Sequence, residues 1–509
     1  MTGNLFSQFL SAMPDAARSF VRTSSGRLIT YGDVVSLSAR MANALTALGL
    51  EPGDRVAVQV EKSPEALILY LACLRAAAVY LPLNTAYTLS ELEYFVGDAE
   101  PKIFIASPEK ASLVTPMTTR LGVAVTETLG TDGASGSLME RARDADAAFS
   151  DSHASPDDLA AILYTSGTTG RSKGAMLSHA NLGSNAAALK ECWRFTSEDV
   201  LLHALPIFHT HGLFVASNVI LSAGASMIFL PKLDPDEVFR LLPGATTMMG
   251  VPTFYVRLLQ DKRLTREATQ HMRLFVSGSA PLLEETHREW RARTGHAILE
   301  RYGMTETNMN TSNPYDGDRV PGSVGFPLPG VSLRITDPKT GVALPEGEIG
   351  MIEVKGPNVF SGYWRMPRKS KAEFRAGGYF VTGDLGRVDE HGYVFIMGRD
   401  KDVIISGGYN VYPKEVESEI DALPDIVESA VVGVAHKDLG ECVIAAAVPM
   451  KGAQLSEEAI KASLREKLAN YKLPKRIVFV EELPRNAMGK VQKNILRETY
   501  KDLCAQGAK

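Results

Sequence analysis

The stretch YTSGTTGRSKG, Tyr164 to Gly174, decides how this chain is read. Its eleven residues hold three glycines, five aliphatic hydroxyls and two cations, Arg171 and Lys173. The familiar P-loop needs a glycine, four residues, then Gly-Lys-Ser/Thr. Counted from Gly167, Ser172 stands where that pattern demands glycine. The loop therefore suits phosphates without being the usual nucleoside-triphosphatase loop. Upstream, LAAILYT reads as a strand ending at Thr165, and downstream HANLGSNAAALKECW reads as a helix. Between them the glycines let backbone N–H groups turn toward an anion. Thr165, Ser166, Thr168 and Thr169 add hydroxyl donors, and Lys173 adds a point charge. Taken alone, the same composition also describes a flexible surface linker.

A chain of 509 residues exceeds one ordinary core, so two or more domains are expected. Apolar content of 45% with 22% charged residues is that of a soluble globular protein. The net charge of -5 argues against a nucleic-acid surface. Cys73, Cys192, Cys442 and Cys504 lie far apart with no paired spacing, which predicts neither a zinc site nor a disulfide framework and favours a reducing, cytoplasmic compartment. The first twenty residues lack a basic region before their short apolar run, and Asp15 interrupts it, so no secretory signal is read there. The most apolar region, Ala66 to Leu83, carries Arg75. It is predicted as a buried helix leading into a strand, not as a membrane insertion.

Helical and strand patterns alternate through most of the chain, which predicts an α/β protein with parallel sheets covered by helices. After about Arg301 the sequence turns rich in glycine and proline, with short strands such as VSLRITD and GMIEVKG, the mark of a small antiparallel β unit. Past Gly398 it changes again, to an α+β unit of about a hundred residues. The expected division is residues 1–398, a hinge at 399–402, and residues 403–509.

YTSGTTGRSKG resembles the signature of the adenylate-forming superfamily, which includes the acyl-CoA synthetases. RYGMTET (Arg301 to Thr307), YFVTGDLG (Tyr379 to Gly386), GRDKDVIISGGYNVYPKEVE (Gly398 to Glu417) and LPRNAMGKVQK (Leu483 to Lys493) resemble four further motifs of that family, in its order. The resemblance implies a large N-terminal domain of two parallel βα subdomains plus a small β-barrel, and a mobile α+β C-terminal domain. It also implies an AMP-forming acid–thiol ligase that uses ATP, Mg²⁺ and coenzyme A.

By the same resemblance, Thr165, Ser166, Gly167, Thr168, Thr169, Gly170 and Lys173 hold ATP phosphates. Ser279, Ala280 and Pro281 lie beside adenine, as does Tyr302. Gly303, Met304 and Thr305 follow, with Thr305 on the α-phosphate. Glu306 takes the magnesium ion, whose hard coordination suits one carboxylate plus phosphate oxygens. Asp384 and Arg399 hold the ribose, since a carboxylate accepts hydrogen bonds from a diol. Lys490 is the catalytic cation: negative charge grows on the phosphoryl oxygens as an acid attacks, and an ammonium placed there favours the transition state. The C-terminal domain is expected to rotate about Lys401, withdrawing Lys490 and bringing Gly407, Gly408 and Tyr409 toward the thiol. Lys490 is also a target for a lysine acetyltransferase.

The acid itself is read from LPIFHTHG, GVPTFYVRLL and VSGSAP, which supply His209, Arg257, Ser277 and Ser279. With Met304, these are expected to line the acyl site. An arginine there fits an acid with a second carboxylate. Together with ERYGMTETNMNTSNPY, these segments resemble malonyl-CoA synthetases, so malonate is the expected acid and methylmalonate a poorer one. The rival is a short- or medium-chain or aryl acyl-CoA ligase. An outward-facing Arg257 on a basic helix face is the reading that would favour it. His211 and Arg288 receive no role.

Overall fold

The computed structural model describes residues 3–165, 172–437, 439–486 and 489–504. The strand expected ahead of the glycine-rich stretch is Leu159–Thr165, and the helix expected behind it is His179–Cys192, capped by Ser178 and Asn181 in a reciprocal box. Between them lies an element the sequence did not announce. Lys173–Ser178 is a strand that returns antiparallel to the first, with Thr165 opposite Lys173. The two strands thus pair as a hairpin, with Tyr164 opposite Gly174.

That hairpin belongs to a seven-stranded sheet, in the order Gly362–Tyr363, Lys173–Ser178, Leu159–Thr165, Val79–Pro82, Arg55–Gln59, Ile103–Ala106, Val125–Thr128. Its last five strands are parallel. The helix Pro64–Arg75 feeding Val79–Pro82 is buried along its whole length, as the apolar run predicts. Ser63 caps it, accepting from the Ala66 N–H, and Pro64 opens its first turn where no amide donor is needed. Arg75 is tolerated there because Asp151 lies 2.6 Å from it and the Phe6 ring lies under its guanidinium at 4.6 Å.

A second sheet has nine strands. Leu299–Met304, Leu274–Ser277, Thr247–Gly250, Val200–His203, Ser226–Phe229 and Ser19–Thr23 run parallel within it. The glycine-rich region after Arg301 forms four antiparallel strands, Ser332–Thr336, Gly350–Lys355, Phe380–Val388 and Val394–Arg399. They form one sheet in that order, and its outer strands make further bridges, Phe395 to Ser323 and Thr336 to Ala343.

The last strand of this sheet ends at Arg399, and a separate five-stranded sheet begins at Ile404. Helices Pro413–Asp421 and Glu457–Arg465 pack on that sheet around Val416, Ile420, Ile460 and Leu464. On the opposite face Leu496 of Lys493–Tyr500 packs against Val432 and Ile444. Here one expectation is overturned: Cys442 is joined to Cys504 in a disulfide, their Cα atoms 6.4 Å apart. The two are 62 residues apart, so no local spacing announced the pair. Among the described residues no helix is long and apolar enough to cross a membrane.

Candidate active site

Parallel strands bring their carboxyl ends to one edge, where ligands are commonly held. In the nine-stranded sheet this edge carries Val251, then Gly278 and Ser279, then Arg301 and Tyr302. Gly303 lets the chain turn back at once into Asn308–Ser312: a Cβ on it would meet the Asn308 carbonyl oxygen at 1.8 Å. The sharp return places Glu306 beside Tyr363 and near Lys173.

Asp384 and Arg399 face each other across neighbouring strands, with Arg399 Nε 2.7 Å from Asp384 Oδ1. The Tyr302 hydroxyl donates to the other carboxylate oxygen at 2.5 Å. Burial and the adjacent carboxylate push the Tyr302 phenol far above its usual range, so it is a fixed donor. Asp384 is 4% exposed. It is a pre-aligned acceptor of the kind a diol needs.

At the phosphate end, the Tyr363 hydroxyl lies 2.9 Å from Glu306 and 2.8 Å from Glu373. Lys173 approaches Glu373 at 3.4 Å and lies 4.1 Å over the Tyr363 ring. Glu306 is 6% exposed, and burial raises its pKa. A hard cation would reverse that shift, and a lone buried carboxylate fits an ion carried mainly by phosphate oxygens. Thr165 also sits here, its hydroxyl 3.4 Å from the Lys173 carbonyl. The expected phosphate ligands Ser166, Gly167, Thr168, Thr169 and Gly170 lie outside the described residues.

Lys490 enters this cleft from the C-terminal domain. Its amide donates to the Asn486 side chain at 3.0 Å, and Gly489 before it takes φ +73°, a left-handed turn that suits glycine. Gly489 rests on Thr253, the second residue of helix Pro252–Leu259. The Lys490 side chain keeps solvent access through the cleft, yet protein surrounds it. Desolvation lowers its pKa first and Arg399 next, while Asp384 and Glu306 oppose. One ammonium therefore feels the ribose end, the metal-ligand candidate and the acid pocket together.

Around the expected acid site several buried polar atoms lack partners. His209 Nε2, Thr210 Oγ1, His211 Nε2, Ser277 Oγ and the Nε and Nη2 of Arg301 are buried without a hydrogen bond among the described residues. Native proteins leave few such atoms unless a ligand completes them. Burial, with Lys490 second, holds His209 down to about 3, so it is a neutral imidazole. Ser279 takes φ +74°, a costly conformation for a residue with a Cβ, and its hydroxyl meets His211 Nδ1 at 3.2 Å.

Arg301 is 3% exposed, and burial pushes its guanidinium down to about 9, still protonated at neutral pH. It lies against Gly278, where a Cβ would come within 2.4 Å of its central carbon. The acid reader expected from the sequence is Arg257. Helix Pro252–Leu259 turns Tyr255, Leu258 and Leu259 inward and leaves Arg257 exposed, one turn beyond Thr253, the residue beside Gly489. Arg301, within RYGMTET, is a second, buried candidate to which the resemblance assigns no role.

Of the remaining expected residues, Ala280 and Met304 are half-buried at the edge, and Pro281 is exposed. Gly407 and Gly408 take φ +60° and +84° in the turn joining Ile404–Ser406 to Tyr409–Val411, and Tyr409 is 60% exposed, stacked on Tyr471. All three are exposed. Lys401 lies in the short 3₁₀ turn Asp400–Asp402 between the two domains. Arg288 pairs with Glu284 on an exposed helix face, apart from the site.

Residues 8–364 match the model of the AMP-binding enzyme family, and residues 415–490 match that of the AMP-binding enzyme C-terminal domain. The fold superposes on ATP-bound MatB from Rhodopseudomonas palustris with a TM-score of 0.97 at 62% identity, covering 99% of this chain and 100% of that one. Against apo MatB of the same organism, at 63% identity and the same coverage, the TM-score is 0.87. The fold here thus superposes more closely on the ATP-bound form than on the apo form. The malonate–CoA ligase of Arabidopsis thaliana is 32% identical over 98% of this chain and 90% of its own length.

Proposed function

The chain belongs to the AMP-binding enzyme family, and on that footing we propose that it joins malonate to coenzyme A at the expense of ATP, through a malonyl-adenylate. The observation that carries the choice of acid is Arg301, a buried guanidinium with two unpartnered nitrogens beside Gly278 and His211. A second carboxylate completes it by two parallel hydrogen bonds. A monocarboxylate leaves it buried and unpaired, at about 3–5 kcal/mol on the usual scale for breaking such a pair.

Malonate then lies with one carboxylate on Arg301 and the other toward Lys490. An oxygen of the second carboxylate attacks the α-phosphorus and pyrophosphate leaves. Lys490 and Thr305 stabilise the charge growing on the phosphoryl oxygens. Asp384 and Arg399 hold the ribose, the edge from Ser279 to Pro281 and the Tyr302 ring flank adenine, and Lys173 meets the departing phosphates. A magnesium ion on the triphosphate, held by Glu306, would supply neutralisation of the leaving pyrophosphate. In the second half-reaction the coenzyme A sulfur attacks the acyl carbon and AMP leaves. The Gly407–Tyr409 turn reaches that site only after the C-terminal domain rotates near Lys401, which fits its present exposed position. Methylmalonate adds one methyl group beside His209 and Met304 and is a poorer substrate. A cytoplasmic location is the simplest for this chemistry.

The test is an acid panel on three proteins: the unaltered chain, Arg301→Leu and Arg257→Leu. Malonate-dependent pyrophosphate release should fall about 10²- to 10⁴-fold in Arg301→Leu, and butyrate should gain. Arg257→Leu should stay within a few-fold of the unaltered chain. The reverse pattern would make Arg257 the reader, and failure of malonate with the unaltered chain would remove the substrate assignment.

A further inference from the structure

Tyr363 occupies a two-residue strand, Gly362–Tyr363, paired with Lys173–Ser178 and only 2% exposed. Its phenol joins three segments far apart in sequence: Glu306 at 2.9 Å, Glu373 at 2.8 Å, and Lys173, whose ammonium lies 4.1 Å over the ring. Its amide donates to Ser370 Oγ at 2.8 Å, and Phe360 packs edge-on at 4.9 Å, so the ring cannot swing away cheaply. Glu373, which follows the helix Pro367–Ala372, has two lysine partners: Lys173 at 3.4 Å and Lys369 at 2.7 Å.

We propose that Glu373 and Tyr363 are positioning residues for the triphosphate, with Glu373 acting as a place-holder that keeps Lys173 seated on the Tyr363 ring until phosphate displaces it. This rests on the reading that Lys173 meets the leaving phosphates. A half-buried ammonium with no anion is costly, so Lys173 needs a partner before ATP arrives. One carboxylate held at 3.4 Å satisfies it loosely. A triphosphate carries several negative charges and wins the exchange. Glu373 is not stranded afterwards, because Lys369, its closer partner, remains. When pyrophosphate departs, Glu373 takes Lys173 back, which favours release. Over the same cycle the Tyr363 hydroxyl holds the Glu306 carboxylate in one orientation.

The measurement is calorimetric binding of ATP, pyrophosphate and AMP to full-length Glu373→Gln and Tyr363→Phe, with Mg²⁺ present and absent. In Glu373→Gln the competition is gone, so ATP and pyrophosphate should bind about three- to fivefold tighter, the worth of a partly exposed ion pair. AMP, which lacks the β- and γ-phosphates, should bind as before. In Tyr363→Phe the ring remains and the hydroxyl is lost, so the Mg²⁺-dependent gain in ATP affinity should shrink while Mg²⁺-free binding holds. Equal affinities for all three ligands in Glu373→Gln, or a change that includes AMP, would overturn the place-holder. Glu373→Asp, which restores the charge, should return pyrophosphate affinity toward that of the unaltered chain; a variant that stays tight would overturn it as well. None of these arms uses malonate, so an error in the acid assignment would leave them readable.

Discussion

The guanidinium of Arg301 lies directly over the Cα of Gly278, so close that a methyl group on that glycine would stand 2.4 Å from its central carbon. On the proposed role of Arg301, position 278 shapes the acid site although it has no side chain. The Gly278→Ala variant should push Arg301 aside while leaving the ATP end intact. Malonate kcat/KM is expected to fall about ten- to a hundredfold with ATP affinity unchanged. Steady-state kinetics with each substrate varied would show this, and parallel losses for both substrates would contradict it.

Lys490 should be needed for one half-reaction only. Lys490→Ala is expected to abolish malonate-dependent pyrophosphate release and to retain thioester formation from supplied malonyl-adenylate. Desolvation, then Arg399, lowers its pKa, so the charged form is lost at a lower pH than for an ordinary lysine. The rate of adenylation should therefore decline on the alkaline side earlier than an exposed lysine would dictate. Acetylation removes the same charge and should mimic the alanine variant. Single-turnover assays of each half-reaction across pH separate these effects, and loss of both half-reactions in Lys490→Ala would refute the division of labour.

The Cys442–Cys504 disulfide closes a long loop within the C-terminal domain. In the chain-entropy account a loop of that length contributes at most about 4 kcal/mol. Thermal melts with and without reductant should show the C-terminal domain less stable when reduced. Cys504→Ser should melt like the reduced protein and ignore reductant. A melt indifferent to reductant in the unaltered chain would mean that the thiols do not pair in solution.

Glu300 is the neighbour of Arg301 on the opposite face of the strand, and burial raises its carboxyl to about 8. The folded state thus binds a proton that the unfolded chain has released above the ordinary carboxylate range. Stability should fall as pH rises through the window from that range to about 8, at up to about 1.4 kcal/mol per pH unit. Glu300→Gln should flatten the dependence, since an amide can still accept from the Leu282 N–H that now lies 3.1 Å away. Melts between pH 5 and 8 would test the sign.

What the sequence disclosed and what it hid divide along a physical line. Asp384, Tyr302, Glu306 and Lys490 stand in contiguous motifs, so their chemistry could be read from adjacency. The helix over Pro64–Arg75 could be read from apolar density, with the buried charges Glu65 and Arg75 as its anomalies. Arg301 could be seen but not weighed, because its burial depends on the register between Leu274–Ser277 and Leu299–Met304 and on the missing side chain at Gly278. Tyr363 gave no signal, since Glu306 lies 57 residues before it and Lys173 earlier still. The strand Lys173–Ser178 was hidden by Gly174 and Ser178, residue types that favour turns until a neighbouring strand supplies partners.

The contact between Gly489 and Thr253 couples two otherwise independent properties. The helix that begins at Pro252 is the landing ground for the loop carrying the ammonium, and its Tyr255 braces the Val276 carbonyl at 2.6 Å, two residues before the glycine under Arg301. Reshaping the cavity for a larger acid would tilt that helix and misplace the landing. Retargeting such an enzyme to new acids by mutating only the residues that touch them should therefore lower turnover even when affinity is gained, until changes on the docking loop restore the fit.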